Sequence, residues 1–66
     1  MIYKMGEVIK ITDEEQGFRN IKGIIVGFNH DTKEVFFKIV AKGFVGINPH
    51  KTSIDNVTKL EEAINE

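Results

Sequence analysis

Apolar and polar residues alternate along this chain in short runs separated by glycines or polar clusters, the pattern of β-strands and tight turns. The first run, Glu7-Val8-Ile9-Lys10-Ile11, follows Gly6 and puts Ile9 and Ile11 on one face, with Val8 and Lys10 on the other. Thr12 to Asn20 is polar with one glycine and one aromatic, and reads as a long loop. Phe18 inside it is expected to fold back over the core, because a lone exposed ring gains nothing from water. A second strand is predicted from Ile21 to Phe28, where Gly23 and Gly27 mark a sharp bend or a close backbone approach. Asn29 to Lys33 is a turn by composition, so this strand and a third over Glu34 to Ala41 make a hairpin. Lys42-Gly43 is the next tight turn, and Phe44 to Ile47 is a short fourth strand. Pro49 is expected to end it, since its ring nitrogen cannot donate to a ladder.

Two readings fit the remainder. Ser53 can cap a helix in which Ile54, Val57, Leu60 and Ile64 share a face. Alternatively one helical turn leads into a last strand, Val57 to Leu60, with 61–66 an acidic tail outside a domain spanning 1–60. Val57 and Thr58 are poor helix formers, which favours the second.

Composition settles the class. Ten Ile, six Val and five Phe stand against one Leu and two Ala, and β-branched and aromatic side chains suit a pleated surface better than a helix. The expected core is Ile9, Ile11, Ile25, Phe28, Val35, Phe37, Ile39, Val45, Ile47, Val57 and Leu60. Sixty-six residues without cysteine form one small domain, held by packing or self-association and not by disulfides or thiolate metal sites. No run is long enough to span a membrane, and the N-terminus carries no signal-peptide pattern, so the expected compartment is cytoplasmic. Ile, Lys and Asn make up 23 of the 66 residues, a bias that suits an AT-rich bacterial or phage genome.

Five short strands with a long loop after the first and a tight hairpin after the second resemble an SH3-like barrel. The stretch Asn20-Ile21-Lys22-Gly23-Ile24-Ile25-Val26-Gly27-Phe28, a polar turn, then Glu34-Val35-Phe36-Phe37-Lys38 is similar to the KOW-type motif. Gly6-Glu7-Val8-Ile9 is likewise similar to the opening of many such barrels. The resemblance is one of pattern over residues 6–60. It implies an all-β, five-stranded barrel and, by analogy with ribosomal and elongation-factor KOW domains, contacts to RNA or polymerase.

Candidate chemistry is sparse. His30 and His50 lack the spacing and companions of a zinc site. His50, Ser53 and Asp55 contain the residue types of a catalytic triad, but a short surface turn offers no oxyanion hole. Asp13-Glu14-Glu15 lacks the alternate ligands and glycine of a calcium loop, and Gly23 and Gly27 do not form a phosphate loop. Neither catalysis, nor a cofactor, nor a metal is expected.

Surface is what remains. Net charge is −1, yet residues 1–20 sum to −1, residues 21–52 to +3 and residues 53–66 to −3, so the middle is mildly basic. Alternation in the third strand puts Val35, Phe37, Ile39 and Ala41 inward, and Glu34, Phe36, Lys38, Val40 and Lys42 outward. Phe36 and Val40 then stand between lysines, with Val26 and Ile24 able to extend the patch from the neighbouring strand. Three uses are open: a protein-docking or self-association patch, a stacking platform for single-stranded nucleic acid, or a small second core covered from within. The leading expectation is a non-catalytic module that binds a protein partner or a second copy through Phe36, Lys38, Val40, Lys42 and Phe44. The alternative is weak RNA or DNA binding through Lys22, Lys33, Lys38 and Lys42 with Phe36.

Overall fold

The structure, a computed structural model, describes residues 3–60. The tail expected at 61–66 lies outside the described residues. Five strands, β1 (Val8–Asp13), β2 (Phe18–Asn29), β3 (Glu34–Ala41), β4 (Phe44–Ser53) and β5 (Val57–Lys59), form one antiparallel sheet in the order β4-β3-β2-β1-β5. The sheet is all-β and is not closed. No helix among the described residues is long and apolar enough to cross a membrane.

Each connection follows from local chemistry. Asn29 Oδ1 accepts from the N–H groups of Asp31 and Thr32, folding the β2–β3 turn. Lys42 and Gly43 both take positive φ, 52° and 81°, the two-residue hairpin turn whose twist matches that of its strands. The Ser53 hydroxyl accepts from the N–H of Asp55 and caps a 3-10 turn at Ile54–Asn56, which leads into β5. The turn-then-strand reading of 53–60 therefore holds.

Two boundaries differ from expectation. The predicted long loop after the first strand is mostly strand: β1 runs on to Asp13, a 3-10 turn covers Glu14–Gln16, and β2 begins at Phe18. A bulge absorbs the polar residues here, with Asn20 at φ 52° and its N–H bonded to the Thr12 hydroxyl. Pro49 does not end β4, which continues to Ser53. The reason is position: β4 lies at the sheet's edge, where a missing N–H on the outer side breaks no ladder bond.

The core is Ile9, Ile11, Ile25, Val35, Phe37 and Val57, with Tyr3, Phe18, Ile21, Phe28, Ile39 and Ile54 packed against it. Leu60 is half-buried. Odd positions 35 and 37 point inward, as alternation requires. Gly23 lies opposite both Ile9 and Ile39, and a Cβ there would stand 2.8 Å from the side chains of both Ile11 and Phe37. That absent side chain lets the rings and methyls of neighbouring strands meet across it. The sheet is also rolled. Phe18 of β2 and His50 of β4 stand with ring centroids 5.4 Å apart, and Thr52 of β4 donates to Asp13 of β1 at 2.7 Å, although β1 and β4 are not neighbours.

Val45 and Ile47 leave the predicted core. The two-residue turn pairs Ala41 with Phe44 and Val40 with Val45, so Val45 shares the outward face of Val40. A register shift then sets Ile39 alone against Gly46, Ile47 and Asn48, turning Ile47 out. Thr52 takes an inward place instead, opposite Val35.

Candidate interaction surface

The outer face of the sheet can be assembled from cross-strand pairs. Lys10 stands opposite Lys22, Lys22 opposite Val40, and Val40 opposite Val45. The adjacent row is Val8, Ile24, Lys38 and Pro49, and the next is Gly27, Phe36 and Lys51. Cations and apolar groups interleave across it. Glu34 at its margin is 3.7 Å from Lys51, whereas Lys10, Lys22 and Lys38 make no ion pair among the described residues.

Phe36, Lys38 and Val40 occupy this face together and are half-buried. The Phe36 ring lies over Gly27, where a Cβ would be 3.5 Å from it. It is therefore neither enclosed nor free. Ile24 is half-buried and Val26, the extra residue of a β2 bulge, is exposed. Lys42 sits in the hairpin turn. Phe44 pairs with Ala41, so it springs from the inward face, but beyond the reach of the core, and 78% of it is exposed. Lys33 and Lys42 are at opposite ends of β3, about 30 Å apart along the strand. The four lysines of the expected nucleic-acid set are thus spread over β2, β3 and the two ends of β3, while Lys10, on the outward face of β1, joins Lys22 and Lys38.

The far end of the β3–β4 hairpin is a second feature. Every residue from Ala41 to Pro49 is exposed, including Phe44, Val45 at 52% and Ile47 at 85%. Residues 35–54 contain Lys38, Lys42 and Lys51 and no acid. Val45 and Ile47 escaped the sequence reading because they were assigned to the core. The signal was there in the turn geometry, which fixes Val45 to the face of Val40.

Polar side chains elsewhere serve the fold. Thr52, buried, accepts from the Asn56 amide and donates to Asp13, which also accepts from the Gln16 amide; Gln16 in turn donates to the Lys51 carbonyl. The bonds from Thr52 and Gln16 hold the Asp13 carboxyl below its ordinary 3.8. Glu7 is held below 4.5, chiefly by the Lys4 backbone N–H and then by Lys59, 3.3 Å away. The His50 ring packs with Phe18 and Phe37, on the face of β4 away from Ser53, whose hydroxyl is occupied as the cap. His30 stacks on Phe28. No group of three or more His, Asp or Glu among the described residues is arranged to hold a metal ion. No protein-family model, curated protein or solved structure matches the chain.

Proposed function

We propose that this chain is an SH3-like barrel acting as a non-catalytic interaction module, which docks a protein partner through the far end of its β3–β4 hairpin. The barrel reading is supported by β5 lying beside β1, by the 3-10 turn between β4 and β5, and by the Asp13–Thr52 and Phe18–His50 contacts that roll the sheet. Fold alone carries no function. The observation behind the docking reading is the exposure of Phe44, Val45 and Ile47 within four consecutive residues. In a domain this small, apolar side chains clustered in water mark a surface that another molecule covers, and aromatic anchors supply much of the energy at such surfaces. Lys42, with Lys38, Val40 and Phe36 on the adjoining face, forms the rim.

The test is capture from an extract of the encoding organism by the wild-type chain and by a Phe44→Ser/Ile47→Ser double variant, with and without nuclease. A protein retained by the wild type, lost by the variant and indifferent to nuclease is the expected result. Retention by the variant, or release by nuclease, contradicts the reading.

One observation favours a second reading. Lys10 and Lys22 are directly opposed, an arrangement that destabilises a sheet, and neither they nor Lys38, diagonal to Lys22, have an ion-pair partner among the described residues. A polyanion would relieve that repulsion, with Phe36 as the single stacking ring. Binding of this kind weakens steeply as salt rises, whereas apolar docking responds little.

A further inference from the structure

Where the free backbone of β4 points narrows the class of partner. The Lys38 carbonyl lies 3.3 Å from a Cβ placed on Gly23, so it faces β2, whereas the N and O of Ile39 face Gly46 of β4. Alternation then turns the N–H and C=O of Val40 toward β2, and those of its partner Val45 off the sheet altogether. Pro49, opposite Lys38, likewise aims its ring nitrogen outward. The Lys51 carbonyl, also outward, is occupied by the Gln16 amide at 2.8 Å.

The edge is therefore blocked in its second half, by a proline and by a side-chain cap, and open at Val45 in its first half, among the apolar residues. Natural sheets protect such edges against stray pairing. Here the proline and the side-chain cap stop short of Phe44, Val45 and Ile47, and what interrupts the strip itself is the register shift that sets Gly46–Asn48 against Ile39. An edge with unpaired main-chain groups at Val45 and apolar side chains on either side of them is the geometry that accepts an added strand, main-chain bonds giving affinity and alternate side chains giving selectivity.

The occupant follows from charge. Lys38 and Lys42 flank the open strip without ion-pair partners among the described residues, and the hairpin holds no acid from 35 to 54. A second copy pairing β4 with β4 would bring two acid-free hairpins together, Lys38 and Lys42 of one against those of the other. That adds like charge to like. A segment with acids at its ends and apolar residues at alternate inner positions complements the strip instead. Resting on the docking reading above, we infer that β4 takes up such an acidic, apolar, extended peptide of another protein as a sixth strand along Phe44–Asn48.

The probe is the capped nonapeptide EEVTITVEE, titrated into the isotope-labelled chain and followed by amide shifts and hydrogen exchange, with KKVTITVKK as its charge-reversed counterpart. Expected are shifts and slowed exchange confined to 42–50, and at least tenfold weaker binding of the lysine peptide. Val45→Pro is the deciding variant, because it deletes an N–H that bonds nothing within the sheet. It should fold, as judged by its spectrum, and lose at least tenfold in affinity, while Val45→Thr keeps it. No shifts up to millimolar peptide, equal binding of the two peptides, or shifts at Lys10 and Lys22 would overturn the inference. So would sedimentation showing a dimer that Val45→Pro abolishes, since the occupant would then be a second copy. Loss of binding in Phe44→Ser/Ile47→Ser but not in Val45→Pro rejects strand addition and leaves the docking reading intact; indifference to all of these variants rejects both.

Discussion

Phe36 and Phe37 are adjacent, chemically identical, and on opposite faces of β3, so truncating each in turn measures the sidedness on which the surface depends. Phe37 is fully buried, between the rings of Phe18 and His50 with centroids 5.8 Å from each. Phe37→Ala removes that burial and leaves a cavity, at a cost of about 3–5 kcal/mol. A 66-residue domain has a total stability of roughly 3–10 kcal/mol, so this variant loses from about a third to all of it. Phe36 is half-buried over Gly27. Losing part of the transfer term, with water free to fill the space, costs about 1–1.5 kcal/mol, or roughly 4–12 °C in melting temperature for a domain of this size. Urea and thermal unfolding followed by far-ultraviolet circular dichroism separate the two, and no tryptophan is needed. Equal losses from the two variants, or a greater loss from Phe36→Ala, would refute the assignment of faces.

Three further outcomes follow from the packing and the polar network. Gly23→Ala places a Cβ 2.8 Å from both Ile11 and Phe37, and overpacking of this kind should lower stability by about 1–3 kcal/mol in a urea titration. Glu7 and Asp13 both titrate below their ordinary 4.5 and 3.8. Their contribution is therefore complete above the unfolded values and is lost as pH falls through them toward the lowered folded ones. Unfolding midpoints should be level above about pH 5.5 and fall below it, and Glu7→Gln with Asp13→Asn should flatten that acid limb. Asp13→Ala leaves the O–H of the buried Thr52 without its acceptor while its oxygen still accepts from Asn56, and Thr52→Val in the same background removes that O–H together with the acceptor of the Asn56 amide. The double variant should recover part of the loss in a double-mutant cycle.

What could be read from residues alone was local. Alternation in Glu34–Ala41 specified which of Val35, Phe36 and Phe37 enter the core, and the poor helix formers Val57 and Thr58 favoured a turn followed by a strand over the helix that Ser53 could equally cap. What could not be read depends on strand order. Pro49 looks like a terminator until β4 is known to be an edge. Thr52 looks like a surface residue until its partner Asp13, 39 positions away, is brought beside it by the rolling of the sheet. Ile47 looks like core because it is β-branched, and only the register shift against Ile39 turns it outward, whereas the outward place of Val45 was legible from the two-residue turn that pairs it with Val40. Of the candidate surface, Phe36, Lys38 and Val40 were legible together from one strand's parity. The lysine triplet of Lys10, Lys22 and Lys38 required the pairing of three strands.

The most direct measurement of where the partner sits is site-specific photo-crosslinking in the native extract, with p-benzoylphenylalanine substituted at Ile47 in one chain and at Lys22 in another. Position 47 on the hairpin's far end is predicted to form an adduct with a protein, and position 22 on the outer face to form none. An adduct formed at position 22 but not at 47, or one containing nucleic acid, would contradict the account.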